Sequence, residues 1–262
     1  MTHPTRAELL GDLIAEEAEL AAVLAPLNAA EWDRATPAAG WQVRDQVAHL
    51  AMGEDLATLA ATDERGFANR LAELMNDLER VDADQQAEAR ASEPAELLAW
   101  WTGSAAATVR AVSEGPEGER IGWITGPMSV ASFITARLME TWAHGQDVVD
   151  ALDLPRPPTA RLRHIADLGV RTRGFSFRNR GLPVPDPEPR VELVGPNGEQ
   201  WVWGPTDTDE VVSGPAEDFC MVVTQRRHVG DTGLSAWGAG AVAWLDLAQC
   251  FAGPPTTATR RD

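Results

Sequence analysis

The sequence predicts an α+β chain: a four-helix bundle over residues 1–154, a helix and proline-rich linker over 155–189, and a small α/β domain over 190–262. Three observations predict it. Apolar residues recur at helical period through the first 152 residues. Pro155, Pro157 and Pro158 then break the pattern. Beyond Pro189, short runs rich in valine flank an Asn-Gly turn, as in a β-hairpin.

The elements follow in order. Thr5 and Glu8 stand at capping-box spacing, and Leu10, Leu13, Ile14, Leu20, Ala21 and Leu24 continue the first helix. Asn28 to Gly40 reads as a loop and Val43 to Ala61 as the second helix. A third helix begins near Phe67 and is expected to fray in the acidic stretch from Asp82 to Ser92. Pro94 suits the first turn of the next helix, Pro94 to Ser113. Glu114 to Gly118 reads as a loop, and the last bundle helix runs from about Ser129 to Leu152. Four main helices with modest connections suggest antiparallel packing. Thr159 to Phe177 is expected to be helical, and Leu182 to Pro189 reads as a linker. Arg190 to Val194 and Gln200 to Trp203 read as strands joined by Gly195-Pro196-Asn197-Gly198. Val211 and Val212 suggest a third strand, Pro215 to Thr224 a helix, and Ala239 to Phe251 a closing helix.

Composition excludes several chemistries before any site is considered. All 22 basic residues are arginine and there is no tyrosine. Schiff-base catalysis, pyridoxal phosphate anchoring, a phosphate-loop lysine and a Tyr/Lys proton relay therefore lack their essential residue. A formal charge of −18 opposes phosphate contacts, so no nucleic-acid partner is expected. Met1 to Leu20 carries no signal pattern, and the longest uncharged run, Ile121 to Ala136, is too short to span a membrane. Cys220 and Cys250 lie among apolar neighbours without metal spacing and are expected as buried thiols. The expectation is a cytoplasmic monomer or homodimer that acts on small molecules, with no membrane partner.

The last bundle helix carries the strongest chemical signal. On a helical wheel Phe133, Glu140, His144, Asp147 and Ala151 fall on one stripe, with Glu140 and His144 one turn apart. On the second helix His49 shares its face with Met52, Leu56 and Ala60. A carboxylate and two imidazoles in a bundle interior are costly unless paired or metal-bound. Spacing leaves two readings open. One is a set of hydrogen-bonded histidines with a Glu–His pair. The other is a three-ligand divalent metal site, zinc by its donors, with positions left for water and substrate. In the second, Asp45 and Asp147 are candidates to hold the outer ring N–H of a ligand histidine. Glu17 interrupts the apolar stripe of the first helix and is expected to stay wet. Arg161 to Arg180 holds six arginines against Asp167 and reads as an anion patch or a solvated helix. Gly238-Ala239-Gly240 is expected to start a helix, and Trp142 to pack away from the metal stripe.

A resemblance bears on these alternatives. Trp32, Thr36-Pro37, Gly40-Trp41-Gln42-Val43-Arg44-Asp45 and Val47-Ala48-His49-Leu50 resemble the entry to the second helix in the DinB/YfiT-like superfamily. Glu140-Thr141-Trp142-Ala143-His144-Gly145-Gln146-Asp147-Val148 resembles its last-helix metal motif. The form E-x-W-x-H-G-x-D is similar to the mycothiol-dependent maleylpyruvate isomerase family, here closer to a metal-binding actinobacterial branch than to the maleylpyruvate enzymes. The resemblance implies a DinB-like bundle and a sterol-carrier-like C-terminal domain. It also implies His49, Glu140 and His144 as ligands of a divalent metal, usually zinc, with mycothiol as the thiol cofactor. Phe219 to Arg227 matches the place where the family has an apolar helix ending in an active-site arginine, here Arg226. Gln225 stands where many relatives have glycine.

The function this implies is metal-dependent isomerisation or S-transfer, using a low-molecular-weight thiol, on a small, anionic, activated substrate. Neither cysteine sits where a thiolate would be stabilised, so a nucleophilic sulfur must come from outside the chain. Two alternatives remain. One is a thiol-independent metal-dependent hydrolase or lyase with Asp45 or Asp147 as proton acceptor. The other is a non-catalytic, metal-stabilised ligand-binding protein.

Overall fold

A computed structural model describes residues 4–116, 118–258 and 260. Glu117, in the loop expected at Glu114 to Gly118, lies outside the described residues, as do positions 1–3, Thr259, Arg261 and Asp262. Helices and small sheets make the chain α+β, and it divides into two compact units, Met1–Arg156 and Pro157–Asp262.

The first unit is helical: α1 (Arg6–Leu24), α2 (Ala29–Trp32), α3 (Val43–Thr62), α4 (Glu64–Asn76), α5 (Leu78–Ala91), α6 (Pro94–Glu114) and, after β1 (Arg120–Ile121) and β2 (Met128–Ser129), α7 (Val130–Leu152). The long helices α1, α3, α6 and α7 form the bundle, α3 and α1 each packing on both α6 and α7. Thr5 and Glu8 complete the expected capping box, and Pro94 takes the first turn of α6. One core cluster gathers Leu20, Leu24, Trp32, Val47, Leu97, Trp101 and Val148. Burying each such side chain contributes about 1.5–3 kcal/mol.

Two expectations for this unit fail for identifiable reasons. The loop expected from Asn28 contains α2, because Asn28 and Glu31 form a second capping box. The acidic stretch from Asp82 does not fray, and α5 continues to Ala91. Asp77 caps its start, and Arg80 pairs with Asp84 one turn on. At its end the buried Arg44 donates to the carbonyls of Ala89 and Ser92 at 3.0 and 3.1 Å. Those carbonyls would otherwise lack partners.

The second unit holds α8 (Leu162–Arg171), α9 (Arg173–Arg178), β3 (Arg190–Val194), β4 (Gln200–Trp203), β5 (Val211–Pro215), α10 (Ala216–Val223), β6 (Ser235–Trp237) and α11 (Ala239–Leu247). The sheet order is β4-β3-β5-β6, with β3 and β5 parallel and the other pairs antiparallel. Leu193 faces Trp201 across the hairpin. The single helix expected from Thr159 to Phe177 breaks at Thr172, whose hydroxyl donates back to the Leu168 carbonyl at 2.8 Å. α10 lies close on α8 because Gly169 has no side chain: a Cβ there would come within 2.9 Å of Val223. Gly238, at φ 87, precedes α11 as the helix start expected, although α11 ends at Leu247 rather than Phe251.

α10 closes in a Schellman turn. The Arg226 N–H donates to the Met221 carbonyl and the Gln225 N–H to the Val222 carbonyl. Gln225 itself has φ 60, the left-handed conformation in which glycine carries no steric cost. Its side chain offsets that cost by donating to the carbonyls of Ala248 and Thr256 and accepting from the Thr256 hydroxyl.

Candidate metal centre

The helical period that buries one face of α3 and of α7 also places three polar side chains inside the bundle. His49 comes from α3; Glu140 and His144 come from successive turns of α7. The imidazole centroids are 4.7 Å apart, and Glu140 Oε2 lies 3.4 Å from His144 Nε2. One possible ligand atom from each residue falls within 4.8 Å of the other two. The side chains of His144 and Glu140 keep 12% and 21% exposure, so the cup has an open side. Trp41, ahead of α3, lines it, with its ring centroid 5.3 Å from that of His49 and 6.1 Å from that of His144.

A chain of hydrogen bonds orients the ring of His144. The Thr36 hydroxyl donates to the Trp41 carbonyl and accepts from Gln46 Nε2 at 2.9 Å. Gln46 therefore turns its amide oxygen to His144 Nδ1, 2.5 Å away. Nδ1 meets that amide oxygen, and Nε2 faces Glu140 and the cup. His49 is held neutral, its pKa lowered to about 3 by burial first and by His144 next. Burial opposes ionisation of Glu140, but the hydrogen bond from His144, Arg137 and the imidazoles outweigh it and bring the carboxyl to about 2. The cup thus offers the neutral imidazole of His49 and the carboxylate of Glu140 at neutral pH, with Nε2 of His144 beside them.

This donor set fits a divalent metal, zinc first. His49 Nδ1 is buried without a hydrogen-bond partner, as expected of a polar atom that another group completes.

The remaining site candidates divide. Asp45 is 1% exposed; its Oδ2 caps α3, accepting from the Gln42 N–H at 2.8 Å and from Arg90 at 3.0 Å, and its Oδ1 is buried without a hydrogen-bond partner. A part of this kind falls to Gln46, which lies between the two quoted segments and which reasoning from charge passes over. Asp147 is buried on the α7 stripe, one turn beyond His144. Arg226 lies in the second unit just after α10, where its Nη1 donates to the Thr224 carbonyl at 2.8 Å. In the arginine-rich segment Arg171 pairs with Asp167, while Arg173 and Arg180 donate to the carbonyls of Pro185 and Ser176. Trp142 packs beneath the guanidinium of Arg156, 5.4 Å away. Glu17 overturns its expectation: Oε1 is buried without a partner, and burial, with Glu54 second, raises its pKa to about 8. Arg137 and Glu54, both buried and absent from the sequence reading, complete the polar interior beside the cup.

A family model described as the mycothiol maleylpyruvate isomerase N-terminal domain matches residues 13–149, which span α3, α7 and all three candidate ligands. The chain belongs to this family. The membership agrees with the resemblance carried by the His49 and Glu140 motifs. A second model, described as wyosine base formation, matches residues 186–236. Uncharacterized proteins from two strains of Mycobacterium tuberculosis, CDC 1551 and H37Rv, are each 47% identical over 247 residues, covering 94% of this chain and 96% of theirs. Crystal structures of the mycothiol-dependent maleylpyruvate isomerase and of a histidine-to-alanine mutant align with TM-scores of 0.57 and 0.59. Each alignment covers 90% of this chain and 95% of that enzyme at 18% identity, a likeness of fold. Among the described residues no helix is long and apolar enough to cross a membrane.

Proposed function

We propose that this family member is a metal-dependent enzyme that uses mycothiol for isomerisation or S-transfer on a small, anionic substrate with an activated double bond. The observation that carries the reading is the convergence of one possible ligand atom each from His49, Glu140 and His144 within 4.8 Å. His49, Glu140 and His144 would hold the metal, zinc by donor type. Bound there, the metal supplies the Lewis acidity that turns a small thiol into a thiolate at neutral pH.

The chain's own residues prepare that chemistry. Glu140 stays ionised and His49 neutral before anything binds, so neither proton has to leave first. Gln46 fixes the ring of His144, and Trp41 shields one side of the cup from water. Burial raises the thiol pKa of Cys220, which supports a sulfur drawn from outside the chain. By the family resemblance Arg226 would neutralise a substrate carboxylate through its planar fork. Addition of the thiol to a cis double bond, rotation and elimination would return the trans isomer and the free thiol.

Activity should require both zinc and mycothiol, measured as isomerisation or thiol-adduct formation across a set of small anionic substrates with an activated double bond, with metal-stripped and zinc-reloaded protein. His144→Ala should lose most bound zinc by elemental analysis. Full turnover by zinc-loaded protein without any thiol would favour the hydrolase or lyase reading. Wild-type zinc content in a His49→Ala/His144→Ala variant would refute the ligand set.

A further inference from the structure

Behind the cup, on the side away from His144, Glu140 meets a second polar layer. Its Oε2 faces His144 Nε2, whereas its Oε1 lies 3.9 Å from Nη2 of Arg137, one turn earlier on α7. Nη1 of the same guanidinium lies 3.8 Å from Oε1 of Glu54 on α3. Glu54 is 0% and Arg137 4% exposed, and both Glu54 oxygens and Arg137 Nε lack hydrogen-bond partners. A buried charge set of this kind is costly, and replacing it by apolar groups of like volume is often neutral or stabilising. Stability alone therefore does not account for it.

The surroundings hold the guanidinium in one place. Trp123 covers its face with Cζ 4.9 Å from the ring centroid, and Phe133 packs edge-on against that tryptophan. Gly53 leaves the room it occupies, since a Cβ there would lie 3.1 Å from Nη1. Glu54, Trp123 and the space at Gly53 thus fix Arg137 from three directions.

We propose that Arg137, anchored by Glu54 and Trp123, is a positioning residue that engages Oε1 of Glu140 and leaves Oε2 as its single metal-facing oxygen. The inference rests on the metal reading above and deepens it. A carboxylate with one oxygen turned to a guanidinium would offer the other to a metal.

The test reads zinc affinity of the full chain by competition with a chromophoric chelator, with folding followed by circular dichroism. Glu54→Gln/Arg137→Met removes both charges together and avoids stranding either one. Gly53→Ala keeps every polar group, improves helix propensity and displaces the guanidinium by a few tenths of an ångström. The double variant should bind zinc roughly ten- to a hundredfold more weakly. Gly53→Ala should bind it a few-fold more weakly without melting earlier. A merely structural role would change stability and leave zinc affinity alone. Wild-type zinc affinity in both folded variants would overturn the inference while the metal reading stands. If the double variant does not fold, Gly53→Ala decides by itself, and unchanged affinity there overturns the inference. A wild-type chain that binds no zinc would instead end the metal reading, and this inference with it.

Discussion

The two units use buried polarity for different ends. Among the described residues the helical unit buries Glu16, Asp45, Glu54 and Asp147 with Arg44 and Arg137, while the second unit buries one charged side chain, Arg173. The other buried polar residues of the second unit are Ser176, Thr224 and Gln249, and all three bond the backbone: Ser176 to Gln249, Thr224 to Cys220, and Gln249 to the carbonyls from Phe251 to Pro254. Those bonds hold loops to helices. In the bundle several charged or polar atoms, including those of Glu17, His49, Glu54 and Arg137, are buried with no hydrogen bond. Unpaired polar atoms in a dry interior cost free energy, so the bundle gives up stability where its candidate chemistry lies.

The sharpest way to probe that contrast is to break a bundle charge pair that stands apart from the cup. Glu16 is 1% exposed and meets Arg156 Nη2, whose other amine donates to the Trp142 carbonyl at 2.7 Å. Glu16→Ala leaves that guanidinium without its carboxylate and should destabilise the chain by about 3–5 kcal/mol in urea unfolding. A loss below about 1 kcal/mol would mean that the pair behaves as a surface bridge.

Glu17 sharpens the comparison through pH. Its carboxyl sits at about 8 in the folded chain against an ordinary 4.5, so the folded state keeps a proton that the unfolded state has already lost. The contribution of Glu17 to stability is therefore fully present below pH 4.5, falls as pH rises toward 8, and is lost above it. Glu17→Gln should flatten that decline and raise stability at pH 8 by on the order of 2–4 kcal/mol, read from urea midpoints across pH. A decline of unchanged slope in the variant would place the titration on another group.

The smallest effect belongs to the second unit. Gln225→Gly relieves a left-handed residue of about 1 kcal/mol but gives up the side-chain bonds to Ala248 and Thr256, each worth about 0.5–1.5 kcal/mol. The net change should be a loss of no more than about 1–2 kcal/mol, with zinc content unaltered. A zinc content that followed this substitution would blur the division of roles between the units.

How much of this was legible in the sequence differs by residue. Glu140 and His144 lie one turn apart on a single helix, so the period alone places them together. The hairpin from Arg190 to Trp203 was legible because Asn197-Gly198 supplies the turn that such strands need. Asp45 misled because a carboxylate near a histidine suggests a partner, whereas its place at the third position of α3 makes it a cap. Gln46 escaped notice because an uncharged amide gives no sign, at the level of composition, of which nitrogen it orients.

Local pattern, then, determined the helices, the apolar stripes and the spacing of polar residues along each stripe, because these depend on neighbours three and four positions away. Tertiary structure alone decided the rest. It brought the imidazole of His49 to 4.7 Å from that of His144, fed the end of α5 with the guanidinium of Arg44, and set Arg137 against Glu54. Each of those contacts joins residues on different helices or far apart in the chain, or depends on the low polarity of a closed interior. No periodicity along a single helix encodes either condition.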